Sequence, residues 1–492
     1  MRRKATVCRV LCGIFGLACL VTGCVLISVF DKLIHHEIDS NLPLKNGSDS
    51  YKNWLSPPAP IYFQIWVLDV VNHLEVVNQG AKPVLWQKGP YTYRETREKV
   101  NISYTENSTI TYCENKWYEF DASRSKGTEA DIFTTVNLPF ITIVNMLRYE
   151  YWWLLDVADY LLRHANEDLF IKLTPGQLLW GYEDPLLKEA KDLLARFNIS
   201  LPIDDKFGLF YKQNGTDDGV YEIYSGIDTT DHFAEIVTWN GNESLSYWTT
   251  AQANAINGSD GTLYPPFVDT SQSYYLFSSD LCRSLVIKYS DTYTLKGIDL
   301  ARFKVPREAF VNVSYGQGFC TPNDNCLPSG LLNASVCRQN APIVFSLPHF
   351  LDGDPDIRNR VIGMNPNRAE HQSVIDIEPI TGVVMNAAKR LQINAFITNI
   401  SHIQDTRNFH QYVVLPILWL DESATIDDKS AHDFKSEVLT GIKITEAVEY
   451  GLIGLGAFIL LIVIVLFVKD VTCKPGAREL VPVTETTPIG AT

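Results

Sequence analysis

The chain has 492 residues, 46% of them hydrophobic and 20% charged, a balance that supports a sizeable folded core and excludes a disordered or low-complexity protein. Its formal net charge is −15, which argues against nucleic acid or heparin as a general partner. Neither a solenoid repeat nor a long Ser/Gly-rich or Pro-rich linker interrupts it, so the large central region reads as one domain.

In chain order, residues 1–9 carry Arg2, Arg3, Lys4 and Arg9, and residues 10–30 carry no charge. At 1.5 Å per residue such a run crosses a hydrocarbon layer of about 30 Å as a helix, and its flanking charges place the amino end in the cytoplasm. No small-x-small cleavage pattern closes the run, so an uncleaved anchor is expected rather than a signal peptide. Residues 450–468 form a second uncharged run, followed by Lys469, Lys474 and Arg478, which places the carboxyl tail (469–492) in the cytoplasm too. Residues 31–449 then form one non-cytoplasmic domain. It carries about −19 formally, since the amino tail holds four of the positive charges and the carboxyl tail is balanced.

The first stretch of that domain, 31–60, reads as a short helix and a Pro-rich approach (Pro57, Pro58, Pro60). From Ile61 the apolar residues alternate at Phe63, Ile65 and Val67, and 100–112 suggests a hairpin turning at Glu106-Asn107. Gly89-Pro90 reads as a turn feeding a strand. The island 138–197 has helical spacing over 140–162 and again from Thr174, where a Thr-Pro pair signals a helix start. Strand signals return from Phe207, separated by Asn-Gly and Asp-Gly pairs at 214, 218, 240, 257 and 260, and continue through IVFS, SVIDI, AKRLQINAFI and YVVLPILWL. Short strands with tight turns indicate an α+β, mainly β chain built on an antiparallel barrel or sandwich.

All ten Asn-x-Ser/Thr sequons fall between the two apolar runs, at Asn46, Asn101, Asn107, Asn198, Asn214, Asn242, Asn257, Asn312, Asn333 and Asn399. Five cysteines lie there as well. Cys320 and Cys326 bracket a turn and can pair locally, which leaves Cys282 for Cys337 and Cys113 over. A zinc site would need two closely spaced cysteine pairs, and the cluster does not supply them. Cys8, Cys12 and Cys473 stand at the membrane edge as palmitoylation candidates.

Enzyme signatures are missing: the sequence has no HExxH, no Gly-x-Ser-x-Gly, no phosphate loop and no dinucleotide fingerprint. The acidic run Asp352, Asp354, Asp356 lacks the glycine and the closing acid of a calcium loop and reads as a turn. His349, His371, His402 and His410 are scattered along the chain. No catalysis, cofactor or metal is expected.

The runs GPYTYRE (89–95), INGSDGT (256–262), SSDLCRS (278–284), SLPHF (346–350), DIEPITG (376–382), AAKRLQIN (387–394) and PILWL (416–420) resemble the class B scavenger receptor family. LLWGY (178–182), GFCTPNDNCL (318–327) and NASVC (333–337) resemble its lysosomal branch more closely. The resemblance implies an antiparallel β-barrel ectodomain with a helical bundle at the apex, an internal hydrophobic tunnel, two transmembrane helices and the pairings Cys282–Cys337 and Cys320–Cys326. It also implies lipid ligands (fatty acids, phospholipid, sterol) or lipoproteins, passed through the tunnel to the bilayer of a plasma or lysosomal/late endosomal membrane. The alternative is a sorting receptor holding a lumenal protein cargo on its apical helices, which could also self-associate.

The apical candidates are Glu150, Tyr151, Trp152, Trp153, Arg163 and His164. Asn166 stands where fatty-acid-binding members carry a lysine, and Glu150 near a pH-sensing histidine of the lysosomal member. Five acids over 137–170 (Glu150, Asp156, Asp159, Glu167, Asp168) against Arg148 and Arg163 disfavour anionic particles there. In the tail Glu485, Pro488 and Ile489 resemble an acidic dileucine sorting signal, with Gly490 in place of its second apolar residue.

Overall fold

The computed structural model of the chain describes residues 2–149, 151–188, 204–310, 318–321, 326–338 and 340–472. They form two units, Ile38–His432 and a membrane-type unit of Met1–Glu37 with Asp433–Thr492.

In the membrane-type unit, helix α1 (Arg2–Asn41) and the C-terminal helix Thr440–Thr472 are both long and apolar enough to cross a bilayer. They run antiparallel in contact. Arg9 pairs with Asp470, and a Cβ placed on Gly16 would lie 2.9 Å from Ile459, one on Gly23 2.6 Å from Ile453. A Cβ on Gly456 would in turn meet the Gly16 carbonyl at 2.6 Å. Without hydrophobic drive between helices in lipid, such glycines allow the backbone approach that replaces it. The short helix expected after residue 31 is the unbroken end of α1, and α2 (Asp49–Leu55) follows, capped by Ser48.

In the larger unit the framework is one 13-stranded sheet with every named pair antiparallel. Strands β1 (Ile61–Val70), β2 (Leu85–Tyr104) and β3 (Thr109–Phe120) follow one another in it, with β2 and β3 joined at the expected hairpin. On their far side come β8 (Val220–Tyr224) and β9 (Ile236–Trp239). On the other, β1 pairs with β17 (Tyr412–Thr425), β17 with β16 (Val384–Thr398), and β16 with β15 (Val374–Ile377). The path ends through β12 (Ile298–Lys304), β11 (Arg283–Leu295) and β10 (Ser273–Ser278). Gly89 and Pro90 lie inside β2 rather than in a turn; the register shift there keeps both halves of the strand paired with β1.

Strand pairing does not close this sheet into the expected barrel, because β9 and β10 are not paired with each other. The turn at Gly258–Ser259 spans the gap instead. Ile236 N donates to the Gly258 carbonyl at 2.8 Å, and Phe277 N to the Ser259 carbonyl at 2.9 Å. Period-two alternation gives the sheet two faces. Phe63, Ile65 and Val67 are buried on the concave one, and Trp66 stacks on Trp419 on the other, ring centres 3.8 Å apart.

Of the helix-rich island, the expected helix over 140–162 is two: α4 (Leu138–Leu147), capped by Asn137 with Pro139 in its first turn, and α5 (Trp152–His164). They pack together and are tied to the sheet unit through Gln404 N, which donates to Asp159 Oδ1 at 2.9 Å, and Leu169 N, which donates to Asp405 at 2.8 Å. The helix expected from Thr174 is the short Pro175–Trp180, with Thr174 and Gln177 forming a capping box; the rest of that segment lies largely outside the described residues.

Candidate functional site

Two places bring chemistry-bearing residues together, and the first is the concave face of the sheet. Alternation along β2 turns Glu95, Arg97 and Lys99 inward, and along β3 Tyr112, Glu114 and Lys116. Arg97 pairs with Glu95 at 2.6 Å, with Glu114 at 3.5 Å and with Glu422 of β17. Lys99, almost wholly buried, holds Glu114 at 2.6 Å. Lys389 of β16 bridges Glu422 at 3.2 Å and Asp280, in the β10–β11 turn, at 2.5 Å. Opposite it Ser279 donates to Asp218 at 2.6 Å. A cavity of about 100 Å³ lies among these groups. Its wall mixes charged residues with Tyr112, Tyr221, Leu276, Phe277, Leu281 and Leu285, so at this level the interior is polar, where the resemblance implies an apolar bore.

The charges there are not equivalent. Burial pushes the Glu114 carboxyl up, but Lys99 and Arg97 outweigh it and hold the group at about 2. Glu422 is likewise held at about 2, burial being overcome by Lys389 and Arg97. Glu95 goes the other way, raised to about 7 by burial, with Arg97 opposing and Glu422 adding to the rise. Among the described residues its Oε2 has no hydrogen-bond partner, so no donor there offsets the cost of burying a charge.

The second place is the surface of α5 and the turn that leads into it from α4. Tyr149, Tyr151, Trp152 and Tyr160 are 62–78% exposed, and Trp153 and Val157 about half, while Leu155, Ala158 and Leu162 are buried. Arg163 pairs with Asp159 at 2.7 Å, and His164 stacks on Tyr160 at 6.0 Å. Glu150 lies outside the described residues. The acidic reading of this surface weakens, because Asp159 and Glu167 are buried, Glu167 accepting from Asn137 Nδ2 at 2.7 Å; only Asp156 and Asp168 of the five are exposed among the described residues. Asp156 meets His402, a residue that sequence distance had kept apart from this surface, at 2.8 Å.

Cys282 is bonded to Cys337 and Cys320 to Cys326, while Cys113 is free and buried. Cys8 and Cys12 are exposed on α1; Cys473, Glu485, Pro488 and Ile489 lie outside the described residues. Of the sequon asparagines, Asn46, Asn101, Asn107, Asn214, Asn242, Asn257 and Asn399 are exposed and Asn333 is half-buried, with Asn198 and Asn312 outside the described residues. Asp354 caps the short helix Pro355–Asn359, and Asp352 pairs with Arg368, so the acidic run is a turn and cap.

An antiparallel sheet beside a helix with exposed aromatics, in a chain with a membrane-length helix near each end, defines a membrane-anchored protein. The chain belongs to the CD36 family, whose model matches residues 14–467. It is 38% identical over 459 residues to lysosome membrane protein 2 of Rattus norvegicus, covering 92% of this chain and 94% of that one. To scavenger receptor class B member 1 of Cricetulus griseus it is 34% identical over 456 residues, covering 92% and 88%.

Proposed function

We propose that the protein is a membrane receptor for lipids or lipoproteins that passes lipid toward the bilayer holding its two helices. The observation that carries this is family membership over nearly the whole chain, membrane helices included. In this reading residues 31–449 face the lumen or the outside and carry the glycans, and both termini are cytoplasmic. The antiparallel helix pair supports it by putting Arg9 and Asp470 at the same end. Transfer gains from shielding an acyl chain at about 0.8 kcal/mol per CH₂. The polar cavity beneath β2 and β16 means that an apolar route has to run beside that charge network.

The test is uptake of a fluorescent phospholipid or sterol ester by cells expressing the full chain, compared with a chain bearing Trp152→Ala, Trp153→Ala and Tyr160→Ala. The reading expects uptake well above that of control cells, falling at least threefold in the variant at equal surface amount. Uptake equal to control cells overturns it.

A second reading is favoured by the aromatic face of α5 and by the likeness to lysosome membrane protein 2: a sorting receptor that holds a lumenal protein on that face. Affinity capture at neutral and at lysosomal pH separates the two, since a protein partner released by acid favours sorting.

A further inference from the structure

His349 and His371, well separated in the chain, stack face to face with ring centres 4.4 Å apart and planes 11° from parallel. Both are buried. They lie on the convex face of the sheet, edge-on to Trp419 at 6.2 and 5.3 Å. Backbone donors fix how each ring carries its proton. Asn365 N donates to His349 Nδ1 at 3.1 Å, and Asn367 N donates to His371 Nδ1 at 2.9 Å. Each Nδ1 is therefore an acceptor, and the neutral ring keeps its hydrogen on Nε2. His349 Nε2 uses that hydrogen on Gln87 Oε1 at 2.8 Å, which also accepts from Trp419 Nε1 at 2.8 Å.

The segment these bonds secure, residues 347–372, lies across β17 and β2. Its turn is strained: His349, Phe350 and Asp352 have φ of 54°, 56° and 59°, where side chains other than glycine are rare. The histidine bonds join this turn to the backbone at 365–367 and to β2.

We infer that the His349–His371 stack is an acid-operated latch that holds the strap 347–372 on the convex face of the sheet. A proton added to either ring must go to Nδ1, which turns an acceptor toward a backbone N–H into a second donor and breaks that bond. Two protons place like charges 4.4 Å apart in a buried site. Burial, then the neighbouring His371, lowers His349 to about 4, and burial lowers His371 as well. Of the charges packed around the pair, Glu370 favours protonation of His371 and Arg390 opposes it. Arg390 is itself paired with Asp421, and Arg368 with Asp352. The latch is closed at neutral pH and opens as pH falls toward 4. The strap is also tied by Arg390 to the Gln372 carbonyl and by His349 N to Gln392, so it loosens without detaching. In an acidic organelle the face around Trp66 and Trp419 is thus presented differently from its form at the cell surface, whichever ligand the ectodomain takes.

The test is hydrogen exchange by mass spectrometry on the full chain in nanodiscs at pH 7.4, 5.5 and 4.2, corrected for intrinsic rates. Peptides covering 363–372 should lose protection at least tenfold toward pH 4.2, while peptides of β1 and β16 keep theirs. A chain with His349→Asn and His371→Asn keeps an acceptor at each Nδ1 position and should lose the pH step. The inference is overturned by unchanged strap protection in the unaltered chain, by loss of protection in strap and sheet together, or by an undiminished step in the double variant.

Discussion

Arg97 Nε donates to Glu95 Oε1 at 2.6 Å, yet the other oxygen of that carboxyl has no partner among the described residues. One strand thus carries a buried cation and, two residues away, a buried acid whose affinity for a proton is raised to about 7. Because the native form binds this proton more tightly than the unfolded chain, Glu95 costs stability as pH rises from about 4.5 through 7 and costs little below. Glu95→Gln should therefore raise stability by about 1–3 kcal/mol at pH 7.5 and by under about 0.5 kcal/mol at pH 4.5, read from thermal unfolding of the full chain in detergent. Equal gains at both pH values would place the Glu95 proton elsewhere.

Arg97 itself is the hub, since Glu95, Glu114 and Glu422 all turn to it and none is more than 14% exposed. Replacing Arg97 by Met leaves buried carboxylates uncompensated and should cost about 3–5 kcal/mol. Lys389→Met should cost less, because Lys389 and Asp280 are each about a third exposed and water takes over part of the work. Chemical denaturation of the two variants side by side gives the order.

The Cys282–Cys337 link closes 55 residues and the Cys320–Cys326 link only 6. On the chain-entropy model, losing the first costs about 4 kcal/mol and the second about 2 kcal/mol. Cys282→Ala with Cys337→Ala should lower the unfolding temperature roughly twice as far as Cys320→Ala with Cys326→Ala. The reverse order would mean that residual structure in the unfolded chain already closes the longer loop.

Much of this fold is legible in the sequence for local reasons. Alternation at Ile61, Phe63, Ile65 and Val67 gives β1, the Glu106-Asn107 turn gives the β2–β3 hairpin, and uncharged runs give both membrane helices. The charged interior is not legible. Along β2 the residues Glu95, Arg97 and Lys99 alternate with Arg94, Thr96 and Glu98, and a strand polar on both sides does not say which face turns inward. β12, with a charge at Asp299 and Arg302, hides for the same reason. The histidine stack and the meeting of His402 with Asp156 depend on chain segments far apart in sequence, for which no spacing rule exists.

Packing between the membrane helices turns on glycine. Gly456→Leu puts a side chain where the Gly16 carbonyl and Leu20 stand, so the pair has to separate. With Cys8, Cys12, Cys19 and Cys24 replaced by Ser, cysteines placed by Gly13→Cys and Val463→Cys should cross-link readily in membranes, and at least fivefold less when Gly456→Leu is added. Undiminished cross-linking would mean that the helices touch along another face.

The central claim is that the ectodomain delivers lipid to the membrane in which its helices sit. Reconstituting the full chain in liposomes and following transfer of a fluorescent sterol ester from donor lipoprotein particles tests it most directly. Transfer at least tenfold faster than into protein-free liposomes, lost when the chain is denatured before mixing, is the result expected. Transfer no faster than into protein-free liposomes would contradict it.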